Sequence, residues 1–150
     1  MINNPAEPIR SQFDLIYRSI RANTTDVTDE EALITPESGG NCINWMLGHI
    51  LLNRNDLFSL LNRRPAVDSD KYRIYKRGGK GELEAWSVIQ LSELKLELEH
   101  SQKMLTDALS SSHPEDEKLK RIAQMAFHEA YHAGQIGLMR RIIGKSGAIS

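Results

Sequence analysis

Apolar residues recur at helical spacing along four long segments of the chain. In the first segment, Ile9, Phe13, Ile16 and Ile20 step by four, three and four positions, so they share one helix face. No segment alternates apolar and polar residues in the way that a strand would. The pattern therefore predicts four helices, with approximate bounds at residues 6–22, 42–61, 87–109 and 115–143.

Polar residues that commonly cap helices mark several of the predicted ends. Thr28 with Glu31 three positions later is a capping-box pattern, which predicts a short helical turn after the first helix. Asn41 is the expected N-cap of the second helix. Ser87 and Gln90 form another capping-box pair, which predicts that the third helix begins at Ser87.

The number and order of the helices indicate the fold class. Four amphipathic helices in 150 residues predict an all-α four-helix bundle that forms a single domain over residues 1–150. Gly144 is a suitable residue to end the fourth helix. The connection of residues 62–86 is long and irregular, and such connections are usually functional or carry a short element that the pattern does not identify. It also leaves room for two consecutive helices to run parallel, so simple up-down-up-down connectivity is not assured.

The overall composition narrows the class of protein. With 19 Lys and Arg against 20 Asp and Glu, the net charge of −1 argues against nucleic acid as the main ligand. The densest apolar stretch, residues 45–52, is too short to span a bilayer. No signal peptide is visible, so we expect a cytoplasmic protein without a membrane partner. The single cysteine, Cys42, excludes an internal disulfide and a Cys-rich zinc motif.

Three of the five histidines lie on apolar helix faces. His128 and His132 are four positions apart, so their side chains project from one face of the fourth helix about one turn apart. His49 lies in the apolar second helix and is directed toward the bundle interior, where bundles build their metal sites. Three neutral imidazoles suit zinc, nickel, cobalt, copper or ferrous iron, and they leave a position for water or substrate.

The same residues permit other interpretations. The histidines could be hydrogen-bonded core groups, although each one left unpaired would cost about 1–3 kcal/mol. Residues 128–132 also read H-E-x-x-H, the pattern of zinc peptidases, but no Asp, Glu or His follows His132 to complete such a site. Glu129 could accept a proton near the metal, but a Glu that faces solvent or pairs with another helix is the more common case. Gln135, one turn after His132, could orient a ligand or join two helices.

Two segments resemble the signature helices of a known family. Residues 44–49 read Asn-Trp-Met-Leu-Gly-His, and residues 127–144 carry the two spaced histidines. Together they resemble the DinB-like metalloprotein superfamily, whose second helix has an aromatic-x-x-Gly-His signature. The resemblance implies up-down-down-up connectivity and one divalent metal, often zinc or nickel, held by His49, His128 and His132. It also implies a homodimer, since many members form one.

The resemblance carries expectations about function as well. Related families include thiol-dependent transferases that use mycothiol or bacillithiol, maleylpyruvate isomerases and metal-dependent hydrolases. We therefore expect a metal-dependent enzyme that activates a water or a thiol nucleophile, as a hydrolase or a thiol S-transferase acting on a small molecule. The alternative is a non-catalytic metal-binding stress protein whose pocket senses a ligand.

Two further features bear on the expected pocket. Residues 62–81 carry seven basic and two acidic side chains. If this segment lies over the pocket mouth, it would attract an anionic cosubstrate such as a carboxylate-bearing thiol; otherwise it is a solvated charged loop. Trp45, one turn before His49, is expected either to wall the pocket or to pack in the core.

Overall fold

The computed structural model of this protein describes residues 3–78, 83 and 87–149. Two short 3-10 helices, Glu31–Leu33 and Arg73–Tyr75, lie in the connections before and after the second α-helix, and no strand occurs in the described ranges. The all-α fold class is therefore confirmed. The four α-helices are α1 (Glu7–Thr24), α2 (Ile43–Leu60), α3 (Leu91–Ser111) and α4 (Asp116–Ile142).

Contacts near the helix ends give the directions of α1, α3 and α4. Helices α1 and α2 each pack against both α3 and α4. The side chain of Asn4, just before α1, donates to the carbonyl of Leu109 near the end of α3, so α1 and α3 are antiparallel. Arg140, near the end of α4, donates to the carbonyl of Asn23 near the end of α1, so α1 and α4 are parallel.

The direction of α2 completes the topology. Asn44 at the start of α2 donates to the carbonyl of Ile89 just before α3, and Arg63 beyond the end of α2 donates to the hydroxyl of Ser111 at the end of α3. These two contacts make α2 and α3 parallel, because starts meet starts and ends meet ends. The bundle therefore has the expected up-down-down-up connectivity, and the long connection between α2 and α3 returns the chain to the other end of the bundle.

Two predicted helix-end motifs are confirmed. The backbone N–H of Thr28 donates to the Glu31 carboxylate at 2.9 Å, and the N–H of Glu31 donates to the Thr28 hydroxyl at 3.1 Å, which completes the capping box of the first 3-10 helix. Gly144 follows α4 with a φ of 92°. The next backbone N–H donates to the carbonyl of Arg140 at 3.0 Å, which closes the helix with a Schellman motif.

Two predicted helix starts are wrong. Asn41 is not the N-cap of α2, because Cys42 takes that position and its Sγ accepts the backbone N–H three residues later at 3.5 Å. The third helix begins at Leu91 and not at Ser87. The backbone N–H of Leu91 donates to the carboxylate of Asp29 at 2.7 Å, so a residue from the connection between α1 and α2 caps α3. Such a remote cap leaves no local pattern in the sequence.

A buried polar layer separates two apolar clusters of the core. Its centre is Arg54 on α2, which is only 1% exposed. The guanidinium makes a two-pronged ion pair with the Glu129 carboxylate on α4, with N–O distances of 2.5 and 3.2 Å. It also donates to Ser101 and Gln102 on α3, and the amide of Gln102 donates to Asp14 on α1 at 2.8 Å. The layer thus links all four helices.

Breaking the central ion pair should destabilise the bundle strongly. Glu129→Gln leaves the Arg54 guanidinium buried without a counter-charge, and removing one partner of a buried pair costs roughly 3 kcal/mol or more. Urea unfolding of the metal-free protein measures this loss. Glu99→Gln is the matched control, because it breaks the exposed pair between Glu99 and Lys103 and should change the stability far less. Equal losses in the two variants would contradict the proposed role of the layer.

Candidate metal centre

The structure brings the three predicted histidines together. His49 on α2 and His128 and His132 on α4 each offer a ring nitrogen, and these nitrogens all lie within 4.8 Å of one another. His49 and His132 are buried, and His128 is half-buried. The Nε2 atoms of His128 and His132 are 3.2 Å apart, as expected for two imidazoles one helical turn apart that face the same point.

Hydrogen bonds on the outer side of the cluster orient two of the rings. The Nδ1–H of His49 donates to the backbone carbonyl of Tyr75 at 2.8 Å, and the Nδ1–H of His132 donates to Oε1 of Gln135 at 2.8 Å. Because both acceptors are oxygens, Nδ1 carries the proton in each ring and Nε2 carries the lone pair. Metal-binding histidines are commonly held in this way. Gln135 thus contacts a candidate ligand directly.

Burial keeps the cluster uncharged. It lowers the pKa of His49 and His128, and it lowers the pKa of His132 to about 4. The nearby positive charge of Arg77 lowers the pKa of His49 and His128 further. All three imidazoles are therefore neutral at pH 7, which is the form that binds a metal ion.

Tyr75, which the sequence did not reveal as important, holds the long connection against α2 beside His49. Its ring lies against Gly48, where an added Cβ would come within 2.5 Å of three ring atoms. Its hydroxyl donates to the side chain of Asn44 and accepts the backbone N–H of Ile89, both at 3.0 Å. The carbonyl of Tyr75 accepts a hydrogen bond from His49. Gly48 therefore allows the close approach that brings this carbonyl to the His49 ring. The only local signal was an aromatic residue within an irregular segment.

Adding a methyl group at Gly48 should therefore damage both stability and metal binding. In Gly48→Ala the Tyr75 ring must move, which should lower the free energy of unfolding by about 1–3 kcal/mol. Loss of the oriented His49 acceptor should weaken zinc binding about 10- to 100-fold. Gly134→Ala is the control, because Gly134 is in α4 with nothing within 4 Å of an added Cβ. That variant should gain up to about 1 kcal/mol. A Gly48→Ala protein as stable as Gly134→Ala would contradict this account.

A cavity of about 490 Å³ opens beside the cluster, and all three histidines line it. Trp45 stacks on His49 with ring centroids 4.4 Å apart, so of its two expected roles it walls the pocket, while also packing against the edge of the core. Phe127 lines the same cavity. Arg77 is the residue of the basic connection that reaches this cavity, whereas Lys80 lies outside the described residues.

A second, more polar cavity lies on the other side of His128. It has a volume of about 680 Å³ and runs between α2 and α4, with His128 lining both cavities. Asn53 lines the second cavity and its amide nitrogen is 3.0 Å from Nε2 of His49. Lys118 and Arg121 from α4 line it as well. The cluster can therefore be approached from two sides.

The carboxylate of Glu129 is engaged by Arg54 and is not free to act as a catalytic base. Both of its carboxylate oxygens are bound by Arg54, and its side chain is buried in the polar layer. This arrangement fits the helix-pairing role that the sequence permitted for it. We call the cavity lined by Trp45, Phe127 and the three histidines the aromatic cavity. The described residues that line it include no carboxylate.

Comparison with known proteins identifies the family. The family model of the DinB superfamily matches residues 12–136, which is most of the chain, so the chain belongs to the DinB superfamily. No curated protein and no solved structure gives a significant match. None of the helices in the described part of the chain is long and apolar enough to cross a membrane. The homodimer and the cytoplasmic location stay predictions.

The lowered pKa values predict how metal binding depends on pH. Protons compete with a metal only below the pKa of the free ligand, and burial places these pKa values below the ordinary 6.5 of histidine. Apparent zinc affinity should therefore begin to fall at a lower pH than it would for three ordinary imidazoles, and the last part of the loss should come near pH 4, where His132 takes up a proton. Chelator competition at a series of pH values measures this. A steep loss already between about pH 7.5 and 6.5 would contradict it.

Proposed function

We propose that this member of the DinB superfamily is a metal-dependent enzyme that binds one divalent transition metal at His49, His128 and His132 and acts on a small molecule. One observation carries the proposal. Three neutral imidazoles converge, with two of them turned by outer hydrogen bonds so that Nε2 is available, on a cavity large enough for a small substrate.

Zinc and nickel are the metals that the family resemblance favours, and the donor set fits both. Neutral imidazoles suit these ions, and three protein ligands are the pattern of catalytic sites, since structural zinc sites have four. A divalent metal held there would keep an open position and lower the pKa of a coordinated water or thiol, which would supply a nucleophile at neutral pH. Tyr75 and Gln135 would hold two of the rings in place while the reaction proceeds.

The pair of cavities supports a reaction between two molecules. His128 lies between an aromatic cavity and a polar one, so a substrate in the first could meet a second reactant entering from the other. A low-molecular-weight thiol would fit the polar side, where Lys118 and Arg121 outweigh Asp56 and can attract the carboxylates of the thiol. Water would suffice for a hydrolase. We therefore propose a thiol S-transferase or a hydrolase, with the thiol requirement as the distinguishing property.

A non-catalytic role is the second candidate. The aromatic cavity offers no carboxylate or cysteine as a proton acceptor among its described lining residues. A metal-binding stress protein that senses a ligand needs only the metal and the pocket. This alternative shares the metal site with the enzyme and differs from it only in turnover.

The metal site is tested first, on protein purified without an affinity tag or chelator. Elemental analysis should find about one equivalent of zinc, nickel or another transition metal per chain. His49→Ala and His132→Ala should each lose most of the metal while circular dichroism shows that they remain helical. His100→Ala is the control, because His100 is exposed on α3, and it should keep its metal. Unchanged metal content in all three variants would refute the site.

Turnover then separates the two candidate functions. The metal-loaded protein is assayed against a panel of electrophilic small molecules and esters, with and without low-molecular-weight thiols. Product that appears only with a thiol identifies a transferase, and product without one identifies a hydrolase. Either activity should disappear in His132→Ala and persist in His100→Ala. A protein that holds its metal but turns over no panel member would favour the sensing role.

A further inference from the structure

The aromatic cavity has a one-sided charge distribution. Arg77 is the one permanently charged side chain among the described residues that line it, and no carboxylate accompanies it there. A bound divalent ion would add two more positive charges. A cavity with this field favours a negatively charged ligand over a neutral one.

The walls of the cavity are aromatic. Trp45, Phe127 and Tyr131 are three of the nine Phe, Trp and Tyr residues in the chain, and all three line this cavity. Phe127 is 75% exposed and Tyr131 is 58% exposed, although each belongs to the well-formed helix α4. Exposed aromatic side chains that border a cavity commonly mark a binding surface. They provide an apolar face against which the body of a ligand can stack.

Arg77 is placed at this cavity by the same contacts that orient His49. It follows Tyr75 by two residues, and Tyr75 is fixed to α2 through its ring on Gly48 and its carbonyl on His49. Its charge reaches the cluster, since it contributes to the lowered pKa of His49 and of His128. Within the described residues Arg77 makes no ion pair, so its guanidinium is available to a ligand.

The neighbouring basic residues behave differently. Lys71 is paired with Glu93 across the connection and α3. Arg73 is exposed in the second 3-10 helix and does not line the cavity. The positive charge of this segment is therefore not spread evenly around the site. Of these three basic residues, only Arg77 lines the cavity.

We infer that the aromatic cavity selects a small carboxylate-bearing molecule with an aromatic or apolar body, and that Arg77 is the residue that recognises the carboxylate. The inference rests on the proposed function, because it names the substrate class of the same site. A guanidinium can hold a carboxylate through two parallel hydrogen bonds, which gives both charge and geometric selection. The cavity volume of about 490 Å³ suits a molecule of this size.

The test uses two probes of nearly equal shape, benzoate and its neutral analogue benzamide. Isothermal titration calorimetry measures the affinity of each for the zinc-loaded wild type, Arg77→Gln and Arg73→Gln. The two variants lose the same charge from the same segment, but only Arg77 lines the cavity. The ratio of benzoate to benzamide affinity cancels effects on packing. This ratio should fall about tenfold or more in Arg77→Gln and should change less than about twofold in Arg73→Gln.

The possible outcomes separate this inference from the proposed function. An equal fall of the ratio in both variants would overturn it, because a general field would then explain the preference. A zinc-loaded wild type that prefers benzamide, or binds neither probe, would also overturn it while leaving the metal site intact. If elemental analysis shows that no metal binds at all, the proposed function fails. The same ratio measured on the zinc-free proteins then decides whether Arg77 recognises the carboxylate.

Discussion

The contact between the ring of Tyr75 and the backbone at Gly48 governs the geometry of the site. An ordinary side chain at position 48 would collide with that ring, so the approach is available only to glycine. In this position the carbonyl of Tyr75 accepts the Nδ1–H of His49. Its hydroxyl accepts the backbone N–H of Ile89, just before α3. Tyr75 also delivers Arg77 to the cavity. The part of the connection that carries Tyr75 and Arg77 thus contributes to one wall of the site, because Tyr75 is held against α2.

The polar layer around Arg54 fixes the position of α2 relative to α4 deeper in the bundle. Arg54 is on the same helix as His49, and its partner Glu129 directly follows His128 on α4. A two-pronged ion pair fixes the two helices against sliding, because the planar guanidinium matches the carboxylate in one orientation. The register of α2 on α4 is therefore set within a few residues of the histidines. Stability and site geometry depend on the same buried interaction.

Sequence reasoning reached the parts of this structure that depend on local periodicity and spacing. The apolar residues that recur at helical spacing identified the helices, and the i to i+4 spacing of His128 and His132 placed both on one face. It failed where a group acts across the fold. The Asp29 cap of α3 lies far from that helix along the chain, and the burial of Arg54 depends on partners from two other helices. A charged residue within an apolar helix gives no sign of which partners will neutralise it.

The hydrogen bonds of the cluster divide into an outer set and an inner set. The outer bonds of His49 and His132, to a carbonyl and to Gln135, turn the Nε2 atom of each ring toward the centre of the cluster. The inner contacts are the Asn53 amide on Nε2 of His49 and the contact between His128 and His132. The inner contacts give hydrogen-bond partners to the Nε2 atoms of His49 and His132. Metal binding would exchange only the inner contacts and keep the outer ones. The outer hydrogen bonds would therefore orient both rings with and without a bound metal.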